Sequence, residues 1–111
     1  MRDLATLKRR YEQDEPAVQL GGLASNLTRI AWHAQHGTRE AATEVFRESK
    51  YFTEWAVVNC SSEQQLLLSD IQVCLARWER GWGRQFDSST VAREAQAWSE
   101  RLLEASGLLT Q

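Results

Sequence analysis

The sequence predicts an all-α protein, an antiparallel up-down four-helix bundle with a short additional N-terminal helix. Three observations carry that prediction. No window sustains the period-2 alternation of a half-buried strand, whereas apolar residues recur at spacings of three and four along most of the chain. The punctuation, namely Pro16, Gly37, Cys60 to Ser62, Gly81 to Gly83 and Asp87 to Thr90, cuts the chain into segments of helical length. The connections left between those segments are short, and four long helices joined by short loops fold most simply as an up-down bundle.

The first helix is expected over about 2–13, where Leu4, Leu7 and Tyr11 form a short stripe. The second, 16–36, begins at Pro16, a favoured first helical position, and ends at Gly37, which suits a left-handed C-terminal cap. Its Leu20, Leu23, Ala24, Leu27, Ile30, Ala31 and Ala34 fall within about 120° of arc at 100° per residue. The adjacent glycines of "LGGLAS" point to a close helix approach or a local kink. The third helix, 39–58, follows Thr38 as N-cap and spreads its apolar residues over a broad arc, so it should be the most buried. The fourth, 62–80, opens on Ser61 with Gln64 three residues later, a capping box, and turns Leu67, Leu68, Ile71, Cys74, Leu75 and Trp78 inward. The fifth, 89–106, carries a narrow seam of Val91, Ala95, Trp98, Leu102 and Ala105 and stops at Gly107.

A chain of 111 residues is one domain, and it can bury roughly 60–70% of its unfolded surface. The net charge of -2 argues against nucleic acid and acidic membranes as general partners. Eleven arginines against two lysines favour planar, specific ion pairs over a diffuse basic field. Fourteen residues separate Cys60 from Cys74, about 20 Å of helical rise, too far for a disulfide. No signal core and no membrane-length apolar run is present in the sequence, which predicts a cytoplasmic protein.

Chemistry-bearing residues are sparse. His33 and His36 have a spacing that could seat a metal, but no acidic residue shares their helical face, so no metal and no cofactor is expected. Neither cysteine can be given a general base from sequence. Glu40, Glu44 and Glu48 form one row, which the helix macrodipole explains as well as acid–base work does. No catalytic constellation emerges, and the expectation is a non-enzymatic protein.

Two regions carry more aromatic surface than a small bundle needs. Trp32 lies about 140° from the centre of the second helix's apolar stripe, flanked by Arg29 and His36. It is either an interface anchor or is covered by the first helix or by Arg29. Tyr51 and Trp55 lie away from Phe46 on the third helix, so either the first helix or a second subunit must pack there. Arg29, Trp32, His36, Tyr51 and Trp55 are therefore the candidate interface, with a homodimer or a protein partner expected.

The stretch "LARWERGWGRQF", 75–86, sets a different choice. On a continuous helix, Trp78 and Trp82 join Ile71 and Leu75, while Arg77, Arg80 and Arg84 take the other side. Aromatics and arginines then segregate, against a stacking platform for single strands. If the helix breaks at Gly81, Trp82 and Phe86 are free to face elsewhere. Arg77, Arg80 and Arg84 remain a candidate basic face, or a solvated one pairing with Asp70 or Glu79.

The blocks "LGGLASNLTRIAWHA", "ESKYFTEWA" and "LARWERGW" resemble a set of small uncharacterised helical proteins from cyanobacteria, over roughly 20–82. The resemblance implies a cytoplasmic helical protein and no particular activity. The leading expectation is thus a helical protein–protein interaction module, an adapter or regulator. The alternatives are a nucleic-acid-associated protein using Arg77, Arg80 and Arg84, and a small-ligand binder with a pocket lined by Phe52, Trp55 and Trp78.

Overall fold

The computed structural model describes residues 3–108, and these form five α-helices and one short 3-10 turn: α1 (Leu4–Gln13), α2 (Pro16–His36), α3 (Arg39–Ala56), the 3-10 turn Val57–Asn59, α4 (Ser62–Gly81) and α5 (Ser88–Ser106). The starts are set by side chains that satisfy otherwise orphaned amides. Asp3, Thr38 and Asp87 accept from the backbone N–H groups of Ala5, Ala41 and Thr90. Ser61 and Gln64 complete the capping box in both directions. Pro16 opens α2. α5 ends at Gly107, the expected stop, and its φ of 87° makes it a left-handed cap.

Gly37 differs from its expected role. Its φ of -121° is not left-handed. The link to α3 is only Gly37 and Thr38, both extended, and the chain turns there because Gly37 N–H still bonds the His33 carbonyl at 2.9 Å. Glycine serves for space, since a Cβ would come within 3.2 Å of His33 Nδ1. α3 also ends earlier than expected, its last residues tightening into the 3-10 turn.

The most extensive helix pair is α2 with α5, followed by α2 with α3; α4 touches α3 and α5. The radius of gyration is 13.5 Å, about that of one packed domain of this length. The whole predicted stripe of α2, from Leu20 to Ala34, is buried. α3 buries as large a share, eight of its 18 residues against nine of 21 in α2, and both exceed α4 and α5, in line with the broad apolar arc of α3.

The α2–α5 contact corrects the predicted seam of α5. Val91, Ala95 and Leu102 are inside as expected, but Ala105 is exposed and Trp98 only half-buried, with the Arg101 guanidinium 4.2 Å over its ring. Ser99 takes the inner position instead. Its hydroxyl donates to the Ala24 carbonyl at 2.7 Å and meets the Thr28 hydroxyl at 2.8 Å. Close approach of two helices favours small side chains, and a serine with a backbone acceptor can be buried without an unmet hydrogen bond. A tryptophan at that point would hold the helices apart.

Helix α1 lies on α3 and is pinned through Tyr11. The Tyr11 ring stacks on Phe52 at 4.0 Å and 11°. Its hydroxyl donates to the Gln19 carbonyl at 2.6 Å, and Gln19 Nε2 donates back to the Tyr11 carbonyl at 2.9 Å. Leu7 is half-buried beside it and Leu4 is exposed.

Candidate functional site

The five candidate interface residues separate into two groups. Trp55 is only 8% exposed and belongs to the core, so it is withdrawn as a surface residue. The cause is α1: Tyr11 lies 5.9 Å from Trp55, and Tyr51 stacks on the outer side of Trp55 at 5.5 Å and 19°. Of the two covers the sequence allowed for this region, the chain's own first helix is the one present. Tyr51 is half-buried.

Trp32 stands apart, 55% exposed on the outer face of α2. His36 stacks on it at 4.9 Å and 26°, and the His33 ring meets it edge-on at 5.4 Å. His36 Nδ1 lies 3.2 Å from the Trp32 carbonyl, which holds the imidazole over the indole. Arg29 is exposed one turn earlier and reaches back to Asn26 Oδ1 at 3.4 Å rather than covering the indole. Neither of the covers foreseen for Trp32 is present: α1 lies over α3, and Arg29 points away. His33 Nδ1 is buried without a hydrogen-bond partner.

The stretch 75–86 breaks the helix and still turns both tryptophans inward. α4 ends at Gly81, and the N–H groups of Arg84, Gln85 and Phe86 converge on the Gly81 carbonyl at 2.8–3.0 Å. Gly83, at φ 86°, lets the chain reverse. Trp78 is fully buried, with Nε1 donating to Glu94 Oε1 at 2.8 Å. Trp82 is buried edge-on to Phe46 and donates to the Ser88 hydroxyl at 3.0 Å. Phe86 folds back onto Gly81, where a Cβ would come within 2.5 Å of its ring, and the Arg77 guanidinium lies 4.9 Å above that ring. Sequence phase alone separated arginines from aromatics; the turn brings one of each together.

Arg77, Arg80 and Arg84 line an open cleft of about 810 Å³, which also includes Arg39 from the start of α3. The sequence reading missed Arg39, since forty residues of chain separate it from Glu79, whose carbonyl it bonds. The Glu79 carboxylate pairs with Lys50 at 2.8 Å, not with the arginines as the solvated-face alternative required. Leu66 and Val73, both exposed, continue the same outer face of α4.

Phe52, Trp55 and Trp78 do not frame a common pocket. The first two pack against Tyr11, while Trp78 reaches Glu94 on α5. An apolar groove of about 550 Å³ lies between Leu7, Tyr11, Val18, Gly21 and Leu103, and of the three expected lining residues Phe52 forms part of its wall. Both cysteines are free thiols, each pushed up by burial; Arg77 partly offsets this at Cys74. Cys60 Sγ donates to the Ala56 carbonyl at 3.2 Å. Among the described residues no three His, Cys, Asp or Glu side chains gather in a way that could hold a metal ion. Nor is any described helix long and apolar enough to cross a membrane.

Fold and surface together define an all-helical protein with an exposed aromatic patch around Trp32 and an arginine-lined cleft. Comparisons with protein-family models, with curated proteins and with solved structures return no match for this chain.

Proposed function

We propose that this chain is a non-enzymatic helical interaction module that self-associates through Trp32, with Arg29 and His36 as flanking contacts. The reading includes an antiparallel up-down arrangement of α2 to α5 and a cytoplasmic setting. The observation that carries it is the exposure of Trp32. A large indole left more than half open, stacked on an imidazole and one turn from an exposed arginine, has the composition of an interface anchor. Loss of Trp55 from the surface narrows the interface to this one patch, so the dimer reading now stands on a single tryptophan. The adapter or regulator role rests on that patch.

The nucleic-acid reading is weaker. Trp78 and Trp82 are both inside, and the half-buried Phe86 already lies under the Arg77 guanidinium, so the arginines have no row of open rings beside them on which successive bases would stack.

Sedimentation velocity at micromolar concentration tests the proposal. The wild-type chain should sediment as a dimer, and Trp32→Ala should move it towards monomer with its helical circular dichroism intact. A hot-spot tryptophan contributes about 2 kcal/mol or more, roughly a thirtyfold change in dissociation constant. A wild-type monomer, or a Trp32→Ala dimer of unchanged affinity, overturns the reading.

A further inference from the structure

We propose that the cleft between the start of α3 and the end of α4 is a binding site for a compact polyanion, a chain of two or three phosphates. It lies apart from Trp32 and does not depend on the self-association reading.

Four arginines from separate parts of the chain line it. Arg39 is the first residue of α3, Arg77 and Arg80 belong to the last turns of α4, and Arg84 sits in the turn that follows. Their grouping is a product of folding. Arg39 Nη2 donates to the Glu79 carbonyl, which ties the start of α3 to the end of α4. The three amides converging on the Gly81 carbonyl turn the chain after α4, and Arg84 in that turn lines the same cleft as Arg80.

The charge in the cleft is not balanced from within. Glu79 is the one acidic residue of its lining, and its carboxylate is already held by Lys50 at 2.8 Å. No carboxylate among the described residues forms an ion pair with Arg39, Arg77, Arg80 or Arg84. In a chain of net charge -2 this is a local excess against the average. Like charges held close repel, and an anion seated among them relieves that repulsion.

The arginines are also partly pre-positioned. Arg39 is anchored by its bond to the Glu79 carbonyl, and Arg77 lies over Phe86, which is itself seated on Gly81. Ordering that exists before binding need not be imposed by the ligand. Arg80 and Arg84 are exposed and able to close over a ligand, and Gln85 adds an amide at the rim. The planar guanidinium fork matches the paired oxygens of phosphate. About 810 Å³ is more than a single phosphate fills and within the span of small-ligand sites. A polynucleotide track is disfavoured, because the neighbouring Trp78 and Trp82 are buried and cannot stack with bases.

Inorganic tripolyphosphate, titrated into the full chain by calorimetry at about 50 mM salt, tests the assignment. Saturable binding at one site per chain is expected, weakening as salt rises. Arg80→Gln and Arg84→Gln should each weaken it by about tenfold, with unchanged thermal midpoints because both side chains are exposed. The control Arg9→Gln removes the same single charge from an exposed site on α1 and should leave affinity within about twofold. ATP separates the sources: equal affinity assigns the phosphate chain alone, and tighter ATP binding assigns a nucleotide. The proposal is overturned by absence of saturable binding, by the control weakening binding as much as Arg80→Gln, or by duplex DNA or an acidic peptide binding these arginines more tightly than either phosphate compound.

Discussion

Replacing Tyr11 with alanine should release α1 from an otherwise folded helical body. Tyr11 is the buried residue of α1; Leu7 is half-covered and Leu4 exposed. A helix of ten residues is marginal alone in water, so α1 depends on docking. Truncating a core aromatic costs about 3–5 kcal/mol, which here includes the stack on Phe52 and the hydroxyl bond to the Gln19 carbonyl. A loss of about 3 kcal/mol raises the undocked population by roughly a hundredfold. Lys8, Arg9 and Arg10 lie within α1, so limited trypsin digestion followed by mass spectrometry reads undocking directly. Cleavage at those three sites should accelerate by about that factor, while sites in α2 to α5 stay protected. Tyr11→Phe keeps the stack and loses one hydrogen bond, about 1 kcal/mol, and should accelerate cleavage only severalfold. The same hydroxyl sets a pH dependence. Burial, then the neighbouring Cys60 and Asp14, pushes its pKa well above the ordinary 10.0. The docked state therefore keeps a proton that the undocked state releases, so docking is unaffected below about pH 10 and weakens above it. The phenylalanine variant should lack that slope. If Tyr11→Ala is cut no faster than wild type, α1 is not held by this residue and the packing account is wrong.

Trp78→Ala should cost roughly 3–5 kcal/mol in chemical denaturation, since it also strands the Glu94 acceptor, whereas the exposed Arg80→Ala should change stability by less than about 0.5 kcal/mol. Equal costs would contradict the observed phase of α4. Under non-reducing conditions mass spectrometry should find two free thiols, and iodoacetamide should modify both more slowly than an open peptide thiol near neutral pH, since burial keeps them protonated. Rapid modification of Cys74 would show that α4 opens easily. Gly83→Ala meets no atom within 4 Å, so its cost should be the left-handed backbone alone, about 1 kcal/mol, visible as a lowered denaturation midpoint; an unchanged midpoint would argue against the turn.

What could be read from the sequence was local. The capping box at Ser61, the cap at Thr38, Pro16 at the start of α2 and Gly107 as the stop of α5 are decided within a few residues, because the ends of a helix are met by the nearest suitable residues. The inner faces of α2 and α4 follow from helical period, which needs no knowledge of neighbours. The tertiary structure decided every question in which two distant elements compete for one surface. Trp55 carries the same aromatic signal as Trp32, yet one is covered by Tyr11 and the other is open, and only the placement of α1 separates them. Ser99 displaces Trp98 from the seam because the Ala24 carbonyl waits across the helix contact. Arg39 joins the arginines of α4 because the start of one helix meets the end of another. Periodicity says which side of a helix faces inward; it carries no information on what lies opposite, and burial, hydrogen-bond satisfaction and charge grouping all depend on that second surface.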